Sequence, residues 1–118
     1  MKKTSMLLGV SVALLSIALT GCPERIRIGD ISRDPGRYYD KEVTVAGRVV
    51  RSYGAAGAGV YEIDDGTGTV WVATEKYGVP TKDTYVGVTG RIIPGVTWAG
   101  KNYGNGMRET RRRSREVR

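Results

Sequence analysis

The segment that most constrains the fold is residues 61–73, with the sequence YEIDDGTGTVWVA. Apolar residues occupy alternate positions on both sides of its centre. Tyr61 and Ile63 therefore lie on one face of the first strand, and Val70 and Val72 on one face of the second. This period of two is typical of half-buried strands. The central Asp-Gly-Thr-Gly favours a tight turn because glycine tolerates a positive φ. The sequence therefore predicts a β-hairpin, with Trp71 on the face opposite the two valines.

Two further strands are predicted by segments that resemble each other. Residues 43–50 and 86–93 both read Val-x-Val-x-Gly-Arg followed by two aliphatic residues. A glycine inside a strand usually marks a bulge or a sharp bend. Two strands that bend at the same place suit neighbours in a small closed barrel, although an internal fold repeat is the alternative explanation.

The region before the first of these strands predicts a short strand at residues 26–29 and then a short helical segment at residues 30–39. Asp30 can cap a helical turn, and Asp-Pro-Gly at residues 34–36 breaks or turns it. Ile31 and two tyrosines make the segment apolar enough to lie against the end of a sheet.

The remaining connections are predicted from their glycine and proline content. Residues 52–59 are too rich in glycine for a helix and predict a flexible loop. Residues 75–83 predict a connector. Residues 94–106 predict a long glycine-rich loop, with a short strand near residues 96–98, and residues 107–112 a last strand that runs into the C-terminal tail.

The N-terminus has the pattern of an export signal. Two lysines precede an apolar run at residues 6–19, which is too short for a membrane span and ends in small residues. The sequence Leu-Thr-Gly-Cys that ends at Cys22 resembles the bacterial lipobox. The resemblance implies cleavage before Cys22, acylation of this single cysteine with palmitate-type chains, and anchoring to a bacterial membrane. The alternative is an ordinary signal peptide with an incidental cysteine.

Positive charge is concentrated at the C-terminus. The chain holds 19 lysines and arginines against 12 acidic residues, and residues 107–118 hold six of the arginines with two glutamates. A basic tail suits anionic lipid, lipopolysaccharide or nucleic acid, and a solvated terminus is the alternative. The arginines of this predicted tail are Arg108, Arg111, Arg112, Arg113 and Arg115.

The order of strands and loops resembles bacterial OB-fold domains of the nucleic-acid-binding type. Its most specific part is the Asp-Asp-Gly-Thr-Gly hairpin flanked by Val-x-Val-x-Gly strands. The resemblance implies an all-β, five-stranded OB-like Greek-key barrel with a short N-terminal helical segment. The predicted domains are a cleaved signal peptide at 1–21, a lipidated tether at 22–25, the barrel at 26–106, and a last strand with the basic tail at 107–118.

The composition argues against catalysis. The chain has no histidine and a single cysteine, which excludes histidine general bases, Ser-His-Asp sites and Cys/His zinc sites. Asp64-Asp65-Gly66 does not fit the EF-hand spacing, and its acidic residues are better explained by turn formation than by cation binding. We therefore expect no enzyme activity, no cofactor and no metal.

The resemblance places a binding surface on the outer face of the second and third barrel strands and on two adjoining loops. Trp71 lies on this face, either exposed or covered by Trp98 or by the helical segment. The predicted ligand-binding residues are Trp71, Trp98, Tyr53, Tyr103, Lys101, Arg48, Arg51 and Arg91.

The preferred interpretation is an exported lipoprotein whose barrel is a non-enzymatic adaptor for an unidentified protein or glycan of the cell envelope. The first alternative is a single-stranded nucleic-acid-binding protein, because aromatic and basic residues together suit stacked bases. Glu62, Asp64 and Glu75 on the same face argue against this alternative, as does export. The second alternative is a structural protein that contacts anionic lipid or glycolipid through the basic tail.

Overall fold

The computed structural model describes residues 24–115. The predicted signal peptide and Cys22 lie outside this range, so lipidation remains a prediction. The described elements follow in the order β1 Glu24–Arg25, α1 Ile28–Arg33, a 3-10 turn Pro35–Arg37, β2 Glu42–Ala55, β3 Ala58–Asp64, β4 Thr69–Thr74, β5 Tyr85–Ile93, β6 Thr97–Trp98, β7 Lys101–Asn102 and β8 Gly106–Arg115.

Five strands close into a barrel in the order β2-β3-β4-β8-β5, with β5 pairing back to β2. The long β2 makes closure possible, because its first half pairs with β5 and its second half with β3. The pairing of β4 with β8 is parallel, and the other barrel pairings are antiparallel. The predicted all-β, OB-like barrel with a short helical segment is confirmed.

The core follows the sequence patterns that predicted it. Tyr61, Ile63 and Val72 are fully buried and Val70 is nearly so, as the hairpin alternation requires. The two similar Val-x-Val-x-Gly-Arg segments are neighbours, with Val45 opposite Val88. No side chain fits at the first glycine of the pair, Gly47, because a Cβ atom there would collide with the carbonyl oxygen of Asp64.

Helix α1 closes one end of the barrel, with Ile28 and Ile31 in the core. Its first amides are capped from the β3–β4 turn, since the amide of Ile28 donates to Asp65 Oδ2 and that of Gly29 to Thr67 Oγ1, both at 2.9 Å. The predicted strand at residues 26–29 is therefore wrong, because Ile28 already begins the helix. Asp30 lies in the first turn rather than at the cap.

The predicted flexible loop at residues 52–59 is also wrong. Strand β2 continues to Ala55, β3 begins at Ala58, and the turn has positive φ at both Ala56 (55°) and Gly57 (85°). This is the backbone pattern of a tight two-residue hairpin turn. Small residues allow the two strands to approach closely here, because a Cβ atom at Gly59 would collide with the carbonyl oxygen of Tyr53. A second hairpin, β6–β7, occupies the predicted loop at residues 94–106.

The arginines that were predicted to form a basic tail lie in β8. This strand pairs with β5 as far as Arg115 and with β4 near its start. Arg108, Arg111 and Arg113 are exposed, whereas only 12% of the Arg112 side chain is exposed. The part of the predicted tail up to Arg115 is thus a barrel strand.

A buried polar network explains why β8 belongs to the barrel. The Glu109 carboxylate is fully buried and accepts hydrogen bonds from the Tyr61 hydroxyl and, at 2.7 Å, from the Thr74 hydroxyl. Arg112 lies 3.3 Å from Glu109 and places its guanidinium 5.4 Å from the centre of the Tyr61 ring. Each charged partner is paired, which a buried carboxylate requires.

Candidate functional site

Three aromatic rings from distant parts of the chain meet on the outside of the barrel. The centre of the Trp71 ring lies 4.4 Å from that of Tyr103 and 6.0 Å from that of Tyr53. Tyr53 and Tyr103 are 6.4 Å apart, with planes inclined by 27°. Tyr53 is 47% exposed, and the other two rings are half-buried. We call Tyr53, Trp71 and Tyr103 the aromatic cluster.

A β-bulge places Tyr53 on the outer face. Val49 pairs with Ile63 and Arg51 with Glu62, so Val50 is the additional residue in β2. Without that residue, Arg51 and Tyr53 would continue the inward series of Val49, because strand side chains alternate. The bulge therefore turns both side chains outward.

The strand register then aligns the residues of this face. Glu62 lies between Arg51 and Trp71 in one row, and Val60 lies between Tyr53 and Ala73 in the next. Val60 is only 1% exposed although it belongs to the outward series of β3. The outer wall beside Tyr53 is therefore apolar and covered at Val60, next to the polar row of Arg51 and Glu62.

The segment after the β6–β7 hairpin supplies Tyr103. Its amide donates to the carbonyl of Val96 at 2.7 Å, and the amide of Val96 donates to the carbonyl of Gly104 at 2.9 Å. Lys101 Nζ lies 5.0 Å from the centre of the Tyr103 ring, within the range of a cation–π interaction. The site thus carries a lysine ammonium group beside its aromatic surface.

Two of the three acidic residues of this face, Glu62 and Asp64, are engaged locally. Glu62 Oε1 lies 3.8 Å from Arg51 Nε, and the Glu62 side chain is only 16% exposed, against 64% for Arg51. Asp64 accepts the amide of Gly66 at 2.7 Å. Arg108, opposite Ala73 in the register, is exposed and makes no ion pair within residues 24–115. The face therefore presents Arg51 and Lys101 outward, with Glu62 shielded beneath Arg51. The exposed Glu75 lines one surface depression together with Arg108.

The structure brings together five of the eight residues predicted to bind ligand, namely Tyr53, Trp71, Tyr103, Lys101 and Arg51. Trp98 lies in β6 and does not stack with Trp71 in the described part of the chain. Arg48 faces Asp83 at 4.0 Å. Arg91 lies opposite Glu42 at the far end of β2 and pairs with Asp40 at 3.8 Å. Val60 is not among the predicted residues, because its burial depends on strand register.

Residues 24–115 contain neither a metal-binding cluster nor a membrane-spanning helix. No group of three or more acidic, cysteine or histidine side chains could hold a metal ion. No helix among these residues is long and apolar enough to cross a membrane.

Comparison with solved structures identifies the architecture. The fold is the OB fold. A protein assigned as an aspartyl-tRNA synthetase from Leishmania major Friedlin superposes with a TM-score of 0.60 at 13% identity, over 80% of this chain and 21% of that protein. The asparaginyl-tRNA synthetase of Entamoeba histolytica superposes with a TM-score of 0.56 at 20% identity, over 79% of this chain and 23% of the synthetase.

A third neighbour is matched along nearly its whole length. The OBody AM3L09, solved bound to hen egg-white lysozyme, superposes with a TM-score of 0.57 at 14% identity, over 79% of this chain and 96% of the OBody. Protein-family models and curated protein sequences give no match. The chain spans about a fifth of the length of the two synthetases, and these likenesses show the fold alone.

Proposed function

We propose that the barrel is a binding module that holds single-stranded nucleic acid on the aromatic cluster. The observation that carries this proposal is the meeting of three rings and a lysine on the face formed by β3, β4 and the adjoining hairpins. Every base has a planar π face, so such a surface binds bases with little dependence on sequence.

The charges beside the cluster support the same ligand. Lys101 and Arg51 are exposed beside the rings and can contact phosphates while bases stack. The pairing of Glu62 with Arg51 answers part of the electrostatic objection raised by the sequence, while the exposed Glu75 keeps its negative charge on this face. The names of the two synthetases state that they act on tRNA. This agrees with the proposal but supplies only fold-level analogy.

The test is a titration of labelled single-stranded DNA and RNA, followed by fluorescence anisotropy at low and moderate salt. Trp71→Ala removes the central ring. Tyr77→Ala is the matched control, because Tyr77 is an aromatic residue 60% exposed outside the cluster. The proposal requires weaker binding in Trp71→Ala and unchanged binding in Tyr77→Ala. Equal binding by both variants would reject the aromatic cluster as the site.

The second candidate is an adaptor for a protein of the cell envelope. The OBody bound to lysozyme supports it, since an OB barrel of this size there holds a folded protein. Anchoring through acylated Cys22 and export to a bacterial membrane belong to this candidate. Mass spectrometry of the chain expressed in a bacterium tests the anchor, because an unmodified Cys22 would remove it.

A further inference from the structure

A second surface lies on the barrel wall formed by β2, β5 and β8. It is an open groove of about 760 Å³, and three of its lining residues are Arg25, Arg48 and Arg113. Tyr85, which is 49% exposed, stands at one end. None of the rings of the aromatic cluster lines this groove.

Small residues form the floor of the groove. Ala46 pairs with Gly87, which pairs in turn with Arg113 on β8. In the adjacent row Thr44 pairs with Thr89 and Thr89 with Arg111, and the two threonine hydroxyls bond to each other at 2.8 Å. A Cβ atom at Gly87 would have no heavy atom within 4 Å, so the space above the floor is open.

Arginines stand on both flanks of this floor. Arg25 on β1 is opposite Thr44, and Arg111 and Arg113 lie on β8. All three are exposed and make no ion pair within the described residues 24–115. Because the floor strands are paired on both sides, a ligand is held through side chains and not by adding a strand.

The acidic residues of the groove lie at one end and are occupied by the β3–β4 turn. Asp64 accepts the amide of Gly66, and Asp65 accepts the amides of Ile28 and Thr67. The exposed pair Arg48–Asp83 is separated by 4.0 Å. Four arginine side chains, including Arg111 beside the groove, therefore face three carboxylates. Asp64 and Asp65 are hydrogen-bonded to backbone amides, and Asp83 pairs with Arg48.

We propose that this groove binds the phosphate backbone of the nucleic-acid strand whose bases occupy the aromatic cluster. The inference rests on the proposed function and extends it to a second surface. Arg111 and Arg113 are two residues apart on one strand, about 6.7 Å, which is comparable to the separation of successive phosphates along a single strand. Guanidinium groups bind phosphates through paired hydrogen bonds.

The two surfaces are continuous along β2. Arg48 borders the groove, Arg51 borders the aromatic cluster, and the Val50 bulge lies between them. Both arginines are more than half exposed, at 52% and 64% of their side chains. A strand that leaves the cluster over Arg51 reaches Arg48 and then the groove.

The test changes the charge of the floor without removing an arginine. Gly87→Glu and Gly87→Gln add side chains of nearly equal size into open space, so they differ mainly in charge. With an oligothymidylate long enough to reach both surfaces, Gly87→Glu is expected to bind about 5- to 10-fold more weakly than Gly87→Gln, as one added negative charge near phosphates would cause. Circular dichroism and thermal unfolding check that both variants are folded.

Salt dependence separates the two surfaces. The double variant Arg111→Gln/Arg113→Gln is expected to reduce the slope of log K against log salt by about 1.4, since each phosphate contact on a single strand contributes about 0.7. Trp71→Ala is expected to lower affinity with the slope unchanged.

Four outcomes decide between the two proposals. Unchanged slope and equal binding by the two Gly87 variants, with Trp71→Ala still impaired, would overturn the groove and leave the proposed function standing. Impairment by the groove variants alone would overturn the proposed function and the link between the two surfaces, and would leave the groove as a separate phosphate site. Weaker binding by Trp71→Ala together with a reduced salt slope in Arg111→Gln/Arg113→Gln supports both proposals. If Gly87→Glu and Gly87→Gln differ in binding to phosphatidylglycerol vesicles but bind the oligonucleotide equally, the groove contacts a membrane surface and the inference is overturned.

Discussion

Asp65 Oδ2 accepts a hydrogen bond from the backbone amide of Ile28 at 2.9 Å, which fastens helix α1 to the β3–β4 turn. The same carboxylate accepts the amide of Thr67 at 2.8 Å through its other oxygen. One side chain therefore shapes the turn and caps the helix that closes the barrel.

Replacing this carboxylate is expected to destabilise the fold in a pH-dependent way. Burial acts to raise the pKa of Asp65, but hydrogen bonds from Ile28, Thr67 and Gly68 hold it below its ordinary value of 3.8. The ionised form thus stabilises the fold above that pH, and the contribution is lost as pH falls through the lowered pKa. Asp65→Ala is expected to cost about 1–2 kcal/mol at neutral pH, in the range of a lost helix cap.

Urea unfolding at a series of pH values measures this effect. The variant should lose less stability than the parent between neutral and acidic pH. Asp34→Asn, which changes an exposed carboxylate after α1, is the control. Parallel pH profiles for Asp65→Ala and the parent would contradict the assigned role.

The Tyr61 hydroxyl is expected to stabilise the barrel through Glu109. Tyr61→Phe leaves the buried carboxylate with one donor fewer, which should cost about 1–3 kcal/mol in the free energy of unfolding. Tyr85→Phe removes a hydroxyl from an exposed ring and should be near neutral. Chemical denaturation of the two variants tests the difference, and equal stability would show that the network contributes nothing.

The Tyr61–Glu109 pair also makes the free energy of unfolding depend on pH in the alkaline range. Burial, followed by the hydrogen bond and charge of Glu109, raises the pKa of Tyr61 far above its ordinary value of 10.0. A group with a raised folded pKa gives stability below its unfolded pKa and loses it as pH rises above that value. The parent should therefore lose its advantage over Tyr61→Phe above about pH 10. A constant difference across that range would argue against this coupling.

Asparagine in place of Ala56 is expected to stabilise the β2–β3 turn. Ala56 has a φ of 55°, in the left-handed region that alanine adopts at a cost. Asn-Gly is the preferred pair for such turns, so Ala56→Asn should stabilise the protein by about 0.5–1 kcal/mol. The equivalent change at Ala99, which has a φ of 51° in the β6–β7 hairpin, is a second test of the same rule. Lower melting temperatures in both variants would contradict this description of the turns.

Neutralising Glu62 should improve nucleic-acid binding. Its carboxylate lies opposite Trp71 and beneath Arg51, so it opposes phosphate contacts and competes for the guanidinium. Glu62→Gln is expected to raise affinity about 2- to 5-fold at low salt, and less as salt screens the charge. Asp34→Asn controls for net charge. An equal gain in both variants would show that Glu62 has no particular place in the site.

The hairpin at residues 61–73 could be predicted because its alternation is local and its turn carries Asp-Gly. The strand ends at residues 52–59 could not, since small residues show no alternation and their structure depends on the close approach of Gly54 and Gly59. The last strand was predicted for residues 107–112, but its continuation to Arg115 within the barrel could not be predicted for the same reason. Its inward residues find partners far away in the sequence, as Glu109 does with Tyr61 across 48 positions.

The site shows the same division between local and long-range information. Tyr53, Trp71 and Tyr103 were predicted to share a face because the chain resembles the OB fold, not because of any local pattern. The bulge at Val50, which turns Tyr53 outward, and the distant register of Arg91 were not visible in the sequence. Strand register, which long-range pairing decides, separates the residues of the cluster from the others predicted with them.

The most direct test of the account is whether a base stacks on Trp71. The chain has two tryptophans, so Trp98→Phe leaves Trp71 as the only strong emitter. Titration of this variant with oligothymidylate should quench its tryptophan emission in proportion to the binding detected by anisotropy. Adding Tyr53→Ala should lower the affinity obtained from both signals by about fivefold or more, as expected for one lost stacking partner. Binding that proceeds with no change in Trp71 emission would contradict the central claim.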